Sequence, residues 1–185
     1  MIYVIWGIVF VGGIWMISTY NTLTSLRLRI DNAWRQIDVQ LKRRYDLIPN
    51  LIETVKGYMQ FEQDTLQKVI EARSQAMGSK GVKDAANAQA ALNQSLGQVF
   101  ALMENYPDLK SNQNVLNLQE ELTGTESRIA FARQYYNDLV TQYNTRQKVF
   151  PSNMIAGFFK FQASELFNAP ETEKALPKVD LRLSS

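Results

Sequence analysis

The chain has 185 residues, 45% of them hydrophobic, and carries a formal charge of +2. It contains no cysteine and no histidine, which excludes disulfides and thiol chemistry and removes the commonest general base and transition-metal ligand. Acid–base work would fall to Lys, Tyr and carboxylates with no visible constellation, and no phosphate-binding glycine loop is present, so we expect no catalytic residues, no cofactor and no metal site.

Residues 2–17, IYVIWGIVFVGGIWMI, are all apolar, and no charged side chain precedes Arg27. That run makes ~24 Å of helix, and the uncharged stretch Met1–Leu26 makes ~39 Å, against a hydrocarbon core of roughly 30 Å. A cleaved secretory signal would want a basic segment before the run and a small-residue cleavage site after it. Neither is obvious, and the stretch reads as a transmembrane anchor. Tyr3, Trp6, Trp15 and Tyr20 bracket it, as the aromatic residues of a membrane interface do.

From Arg27 to Arg44, six bases (Arg27, Arg29, Arg35, Lys42, Arg43 and Arg44) outnumber two acids (Asp31 and Asp38), a local +4 that leaves −2 on the rest of the chain. Bases close to a membrane mark its cytoplasmic side. The N-terminus is therefore expected outside and the bulk of the chain in the cytoplasm. Lys42-Arg43-Arg44 lie about 24 Å of helix beyond Arg27, well past a Debye length of about 8 Å. Pairing with acids inside the bundle or across subunits suits them better than lipid headgroups. The near-neutral chain argues against nucleic acid as a partner.

Leu23, Leu26, Ile30, Ala33, Ile37 and Leu41 recur at steps of three and four, the helical period, with no turn signal between them and the anchor. The first helix is predicted to leave the bilayer continuous. Asp31–Arg35 and Asp38–Lys42 stand four apart with the acid first, the favoured order on a helix. Trp34 sits beside Ala33 on the apolar side and reads as core. Pro49 interrupts the pattern. The helix either kinks and carries its stripe on through Ile48, Ile52, Val55, Met59, Leu66 and Val69, or restarts with Asn50 as N-cap and Glu53 as its capping-box partner. The lack of a Gly or polar cluster there favours a kink or a very short break.

Gly78-Ser79-Lys80-Gly81 is the first clear turn. Residues 84–105 follow as a second helix, with Leu92, Leu96, Val99 and Met103 on one face, and Tyr106-Pro107-Asp108 ends it. The third helix has the cleanest pattern: Val115, Leu118, Leu122, Thr125, Ile129, Ala132, Tyr136, Leu139, Tyr143, Arg146 and Phe150 form a five-heptad seam for packing against neighbouring helices. Phe150-Pro151-Ser152-Asn153 stops it. Phe158, Phe159, Phe161, Leu166 and Phe167 are too many large apolar residues for a free linker. They are expected to lie across the bundle or bind a neighbouring subunit, and residues 170–185 to be extended and loosely held. The chain thus divides into an anchor (1–26), a helical bundle (27–150) and an aromatic C-terminal segment with an extended tail (151–185).

The stretch YNTLTSLRLRIDNAWRQIDVQLKRRYDLIPNLIETVKGY (residues 20–58), followed by VIEAR (69–73), resembles the signature of the LemA family. YPDLKSNQNVLNLQEELTGTESRIAFARQYYNDLVTQYNTRQKVFPSNMIAGFF (106–159) resembles its C-terminal half, and PKVDL (177–181) fits its closing motif. The sequence departs at Met59-Gln60-Phe61-Glu62, where the family often has a small residue and a His before the Glu. The resemblance implies an all-α fold, in which an N-terminal transmembrane helix continues into an antiparallel bundle of three to four long helices on the inner side of the bacterial cytoplasmic membrane. It supplies no catalytic site to carry over. Genes of the family often neighbour envelope-stress membrane proteases, which implies membrane quality control as a setting and such proteases as partners.

The function expected is a single-pass, self-associating scaffold or adaptor, its partners being other copies of itself and the lipid bilayer. Asp31, Trp34, Asp38, Lys42, Arg43, Arg44 and Asp46 are too polar a set for one bundle face, so some should pair between subunits. Pro49, Phe158, Phe159 and Phe161 complete the candidate interaction residues. Two other readings stand beside this one: a coat that remodels membrane, and a sensory or ligand-binding bundle.

Overall fold

The computed structural model describes residues 1–168, and every regular element among them is helical. The elements are α1 (Ile2–Lys56), α2 (Gln63–Gly78), α3 (Val82–Met103), α4 (Pro107–Lys110), α5 (Gln113–Lys148) and α6 (Ser152–Phe158). They form two compact units. The first comprises Met1–Leu47 with Asn117–Leu166, and the second comprises Ile48–Leu116 with Phe167 and Asn168. The tail expected to be loosely held, residues 170–185, lies outside the described residues.

α1 runs uninterrupted from the apolar run into the charged stretch. Burial begins abruptly at Leu23. No residue before it is buried, whereas Leu23, Leu26, Ile30, Ala33, Ile37 and Leu41 all are. Pro49 lies inside the helix, and the stripe continues past it through Ile48, Leu51, Ile52 and Val55. The helix ends instead at Gly57, a residue with the entropic cost that stops helices. There the amides of Tyr58 and Met59 both donate to the Val55 carbonyl at 3.0 Å. The stripe expected to be one run through Val69 is therefore carried by two helices, and the first turn falls at residues 57–62 rather than 78–81. Met59, fully buried in that turn, keeps the apolar face continuous across the break.

In the second unit α2 and α3 pack together as a helical hairpin. The connection is Ser79-Lys80-Gly81. Ser79 closes α2 through its hydroxyl, 2.7 Å from the Ala76 carbonyl, and Gly81 takes φ +85°, a conformation that side-chain-bearing residues rarely adopt. Small buried residues at Ala72, Ala76, Ala85 and Ala86 line the pair, with Leu92, Leu96, Val99 and Met103 filling its core. Pro107 opens α4 at a position where its missing N–H costs nothing. Asn112 caps α5, its side-chain oxygen accepting from the amides of Asn114 (2.9 Å) and Val115 (3.4 Å).

Along α5 the predicted seam is buried at Val115, Leu122, Thr125, Ile129, Tyr136, Leu139 and Tyr143. It fails at its end, where Arg146 and Phe150 are exposed and Val140, outside the seven-residue pattern, is buried. A strict heptad drifts by about 20° per repeat on a straight α-helix, so after several repeats the seam slides off the packed face and a neighbouring position replaces it. Ser152 ends α5 by donating to the Arg146 carbonyl at 2.6 Å. α6 closes in a Schellman motif, in which the Phe161 amide donates to Ala156 (2.9 Å) and the Lys160 amide to Gly157 (3.2 Å). Lys160 takes the left-handed position at φ +55°, where glycine is usual.

Candidate functional site

Within the first unit α1 and α5 lie side by side and run in opposite directions. Trp34 meets Tyr136 with ring centroids 5.8 Å apart, and Arg44 meets Glu126 at 2.6 Å. A ten-residue advance on one helix thus matches a ten-residue retreat on the other.

Arg44 is the one buried member of the predicted charged set. Burial pushes its guanidinium below the ordinary arginine value, with the Glu126 carboxylate opposing that shift and Arg133 adding to it. An arginine tolerates such a position because it stays charged and its alkyl stem packs as an apolar residue. Trp34 is half-buried rather than fully enclosed. Burial raises the pKa values of the Tyr136 and Tyr143 phenols, with the Asp31 carboxylate adding a little to each.

Asp31, Asp38, Lys42, Arg43 and Asp46 are exposed, as is Pro49 in the second unit. Neither the Asp31–Arg35 nor the Asp38–Lys42 pair closes to ion-pair distance among the described residues. Exposed pairs gain less from Coulomb attraction than long side chains lose in freedom. The predicted polar set therefore divides: Trp34 and Arg44 serve the α1–α5 contact, and the rest face solvent.

Three features of this unit escaped the sequence reading. The first is an outer groove of about 590 Å³, lined by Arg35, Val39, Arg128, Phe131 and Tyr135 among others, in which Val39, Phe131 and Tyr135 are exposed. The signal was available as a second apolar spacing of four on α5, flanked by Arg128, but the heptad seam drew attention to the other face.

The second feature is a strap. Residues 162–165 are fastened along α5 by side chains that the seam ignores. Asn144 donates to the Ser164 carbonyl (2.9 Å) and accepts from the Ser164 amide (3.0 Å). Gln147 donates to the Gln162 carbonyl (3.2 Å) and the Tyr136 hydroxyl to the Glu165 carbonyl (2.9 Å).

The third lies at the anchor. Tyr20 contacts Phe159 (4.7 Å between centroids) and Phe161 (5.6 Å), joining a predicted interfacial residue to two of the predicted tail aromatics. Phe158 packs edge-on against Phe159 at 5.0 Å. Tyr3, Trp6 and Trp15 are exposed on α1 with the rest of the apolar run. Beside Tyr20 a larger groove of about 980 Å³ extends from Ile14 and Ile17 to Arg29, bounded opposite by Thr141 to Arg146 of α5 and by Val149 just beyond it.

The model of the LemA family matches residues 33–181, which takes in α2 to α6 and most of the charged half of α1. The chain is similar to protein LemA of Metamycoplasma hominis, at 26% identity over 83% of this chain and 71% of that protein. It is also similar to magnetosome protein MamQ 2 of Paramagnetospirillum magneticum, at 22% identity over 82% of this chain, and to magnetosome protein MamQ of Magnetospirillum gryphiswaldense, at 20% identity over 83%. The matches span 65% and 66% of these two magnetosome proteins.

Proposed function

The chain belongs to the LemA family, and from that premise we propose that it is a membrane-anchored, self-associating helical scaffold or adaptor without catalysis of its own. α1 holds it in a bacterial inner membrane with the N-terminus outside, and the packed helices form an antiparallel bundle in the cytoplasm. Its partners are further copies of itself, the bilayer, and other membrane proteins such as envelope-stress proteases.

The observation that carries this reading is the state of α1. It is one helix long and apolar enough to cross a membrane. No residue of its apolar run is buried, yet the same helix supplies the core of the first unit from Leu23 onward. Burying that run in lipid removes a cost of about 25 cal/mol per Å² of apolar surface. Orientation is supported by the basic excess after residue 26. Self-association is supported by the outer groove, where exposed Val39, Phe131 and Tyr135 are flanked by two arginines, an aromatic and arginine composition typical of interfaces.

Two measurements test the proposal. A cysteine placed by Ser79→Cys in this cysteine-free chain is expected to react with an impermeant maleimide only after permeabilisation; ready labelling of intact cells would overturn the topology. Crosslinking and sizing in mild detergent are expected to give an oligomer that Phe131→Ser weakens. A monomer under all conditions would overturn self-association.

A further inference from the structure

We infer that α6 and its flanking residues form a second membrane contact: an apolar wedge that dips into the bilayer surface beside the point where α1 leaves it. The inference rests on the anchor reading proposed above.

The wedge is a matter of exposure and position. Phe150 is 79% exposed, Met154 64% and Phe158 78%, and Val149 and Phe159 are partly exposed beside them. Met154 and Phe158 stand four apart on α6, one on each side of a single turn, while Ile155 and Ala156 on the opposite side are buried in the first unit. The short helix is therefore apolar on both faces. One face is satisfied by packing; the other stays exposed apart from the edge-on contact of Phe158 with Phe159. So many large apolar side chains in one short stretch form an exposed patch of the kind that marks a protein or membrane contact.

Position decides which. Tyr20 lies three residues beyond Ile17, the last of the apolar run, which is ~4.5 Å of helix rise. Phe159 and Phe161 pack on Tyr20, and Val149 shares a groove with Ile14 and Ile17. These contacts bring both ends of the α6 segment to the level at which the anchor emerges. An interfacial element buries its apolar face ~5–10 Å into the boundary between headgroups and acyl chains.

Charge agrees. Between residues 139 and 164 the chain carries Arg146, Lys148 and Lys160 and no acid, and all three bases are exposed. Bases framing an apolar face fit an anionic leaflet. Val149, beside that face, lines a groove with Ile14 and Ile17 of α1, so one phase can cover both.

The test uses site-directed spin labels on the full chain in vesicles of phosphatidylcholine and phosphatidylglycerol. Labels go in by Met154→Cys and Phe158→Cys, exposed positions that tolerate exchange. Val9→Cys serves as a reference within the anchor and Ser79→Cys as a reference in water. Accessibility to dissolved oxygen relative to a water-soluble nickel chelate is expected to be several-fold higher at 154 and 158 than at 79, approaching the ratio at 9. If 154 and 158 match 79 while 9 lies in lipid, the wedge is refuted and the anchor stands. If 154 and 158 are shielded from both reagents, protein covers the face, a second copy for example, and the wedge is again refuted. If 9 itself reports water, the anchor reading fails and the wedge falls with it.

Discussion

The ion pair between Arg44 and Glu126 offers an asymmetric test of how α1 and α5 hold together. Breaking a fully buried pair by removing one partner costs about 3–5 kcal/mol, mainly because a charge is left uncompensated in a poor solvent. Here the two partners differ: the Arg44 side chain is 7% exposed and that of Glu126 39%. Water screens the glutamate, so the full figure must be discounted. Glu126→Gln leaves the guanidinium buried beside a neutral acceptor and near Arg133, a like charge. We expect it to destabilise the chain by roughly 2 kcal/mol after that discount. For a chain of this size that lowers the melting midpoint by about 4–8 °C.

Arg44→Met removes the buried charge itself and keeps an apolar stem, while Glu126 can turn to solvent. Replacing buried ions by apolar side chains is often neutral or better, so we expect a change of less than about 1 kcal/mol. The assay is thermal unfolding followed by helical circular dichroism, with wild type and both variants in the same detergent. The reasoning is refuted if Arg44→Met costs as much as Glu126→Gln, or if Glu126→Gln leaves the midpoint unmoved.

Three further outcomes follow from the same geometry. Pro49 sits exposed inside a continuous helix, where proline costs about 3 kcal/mol relative to alanine. Pro49→Ala should raise stability by about 1–2 kcal/mol once proline's restraint on the unfolded chain is subtracted, and a loss in urea titration would contradict the interior placement. Tyr136 and Tyr143 have raised phenol pKa values, chiefly from burial. A raised folded value means that stability is fully present below the unfolded value near pH 10 and is lost as pH climbs through the folded one, so unfolding midpoints should be flat up to about pH 10 and then fall, with Tyr143→Phe making the fall shallower. Asn144→Ala removes both bonds to Ser164, each worth about 1 kcal/mol; amide exchange of residues 162–165 should accelerate while the α1–α5 contact keeps its protection, and unchanged exchange would refute the strap.

What the sequence revealed depended on periodicity. Apolar spacing identified the buried face of α1 residue by residue, because a stripe from Leu23 to Leu41 can satisfy a helix in only one way. It also identified most of α5. It missed features with no repeat to announce them. The turn at residues 57–62 hides inside an unbroken apolar pattern, since Met59 is buried as if the helix continued. The end of α6 carries Lys160 where glycine would have signalled the cap. The strap depends on Asn144 and Gln147, polar residues on a helix that reads as solvated until the chain returns across it. Within the charged set, composition showed that not all members could face inward, but only packing shows that Arg44 does and Arg43 does not.

That sorting bears on function. On the anchored reading six of the bases fall into three groups by height above the bilayer and by burial. Lys160 stands between Phe159 and Phe161, which pack on Tyr20, and Arg146, with Lys148 two residues on, lines a groove with Ile14 and Ile17, so these bases lie beside the anchor and can act on lipid. Arg44 is buried and acts on Glu126. Lys42 and Arg43 are exposed but stand roughly 24 Å of helix beyond Arg27, where the field of an anionic leaflet has decayed. Their exposure and their distance together leave protein as the surface they can meet. They lie along α1 between the exposed acids Asp38 and Asp46, and a surface of mixed sign gives register to an interface more than affinity. The apolar Val39 and Phe131 of the outer groove would supply the affinity, and the charges beside them would decide which partner, and which alignment, is accepted.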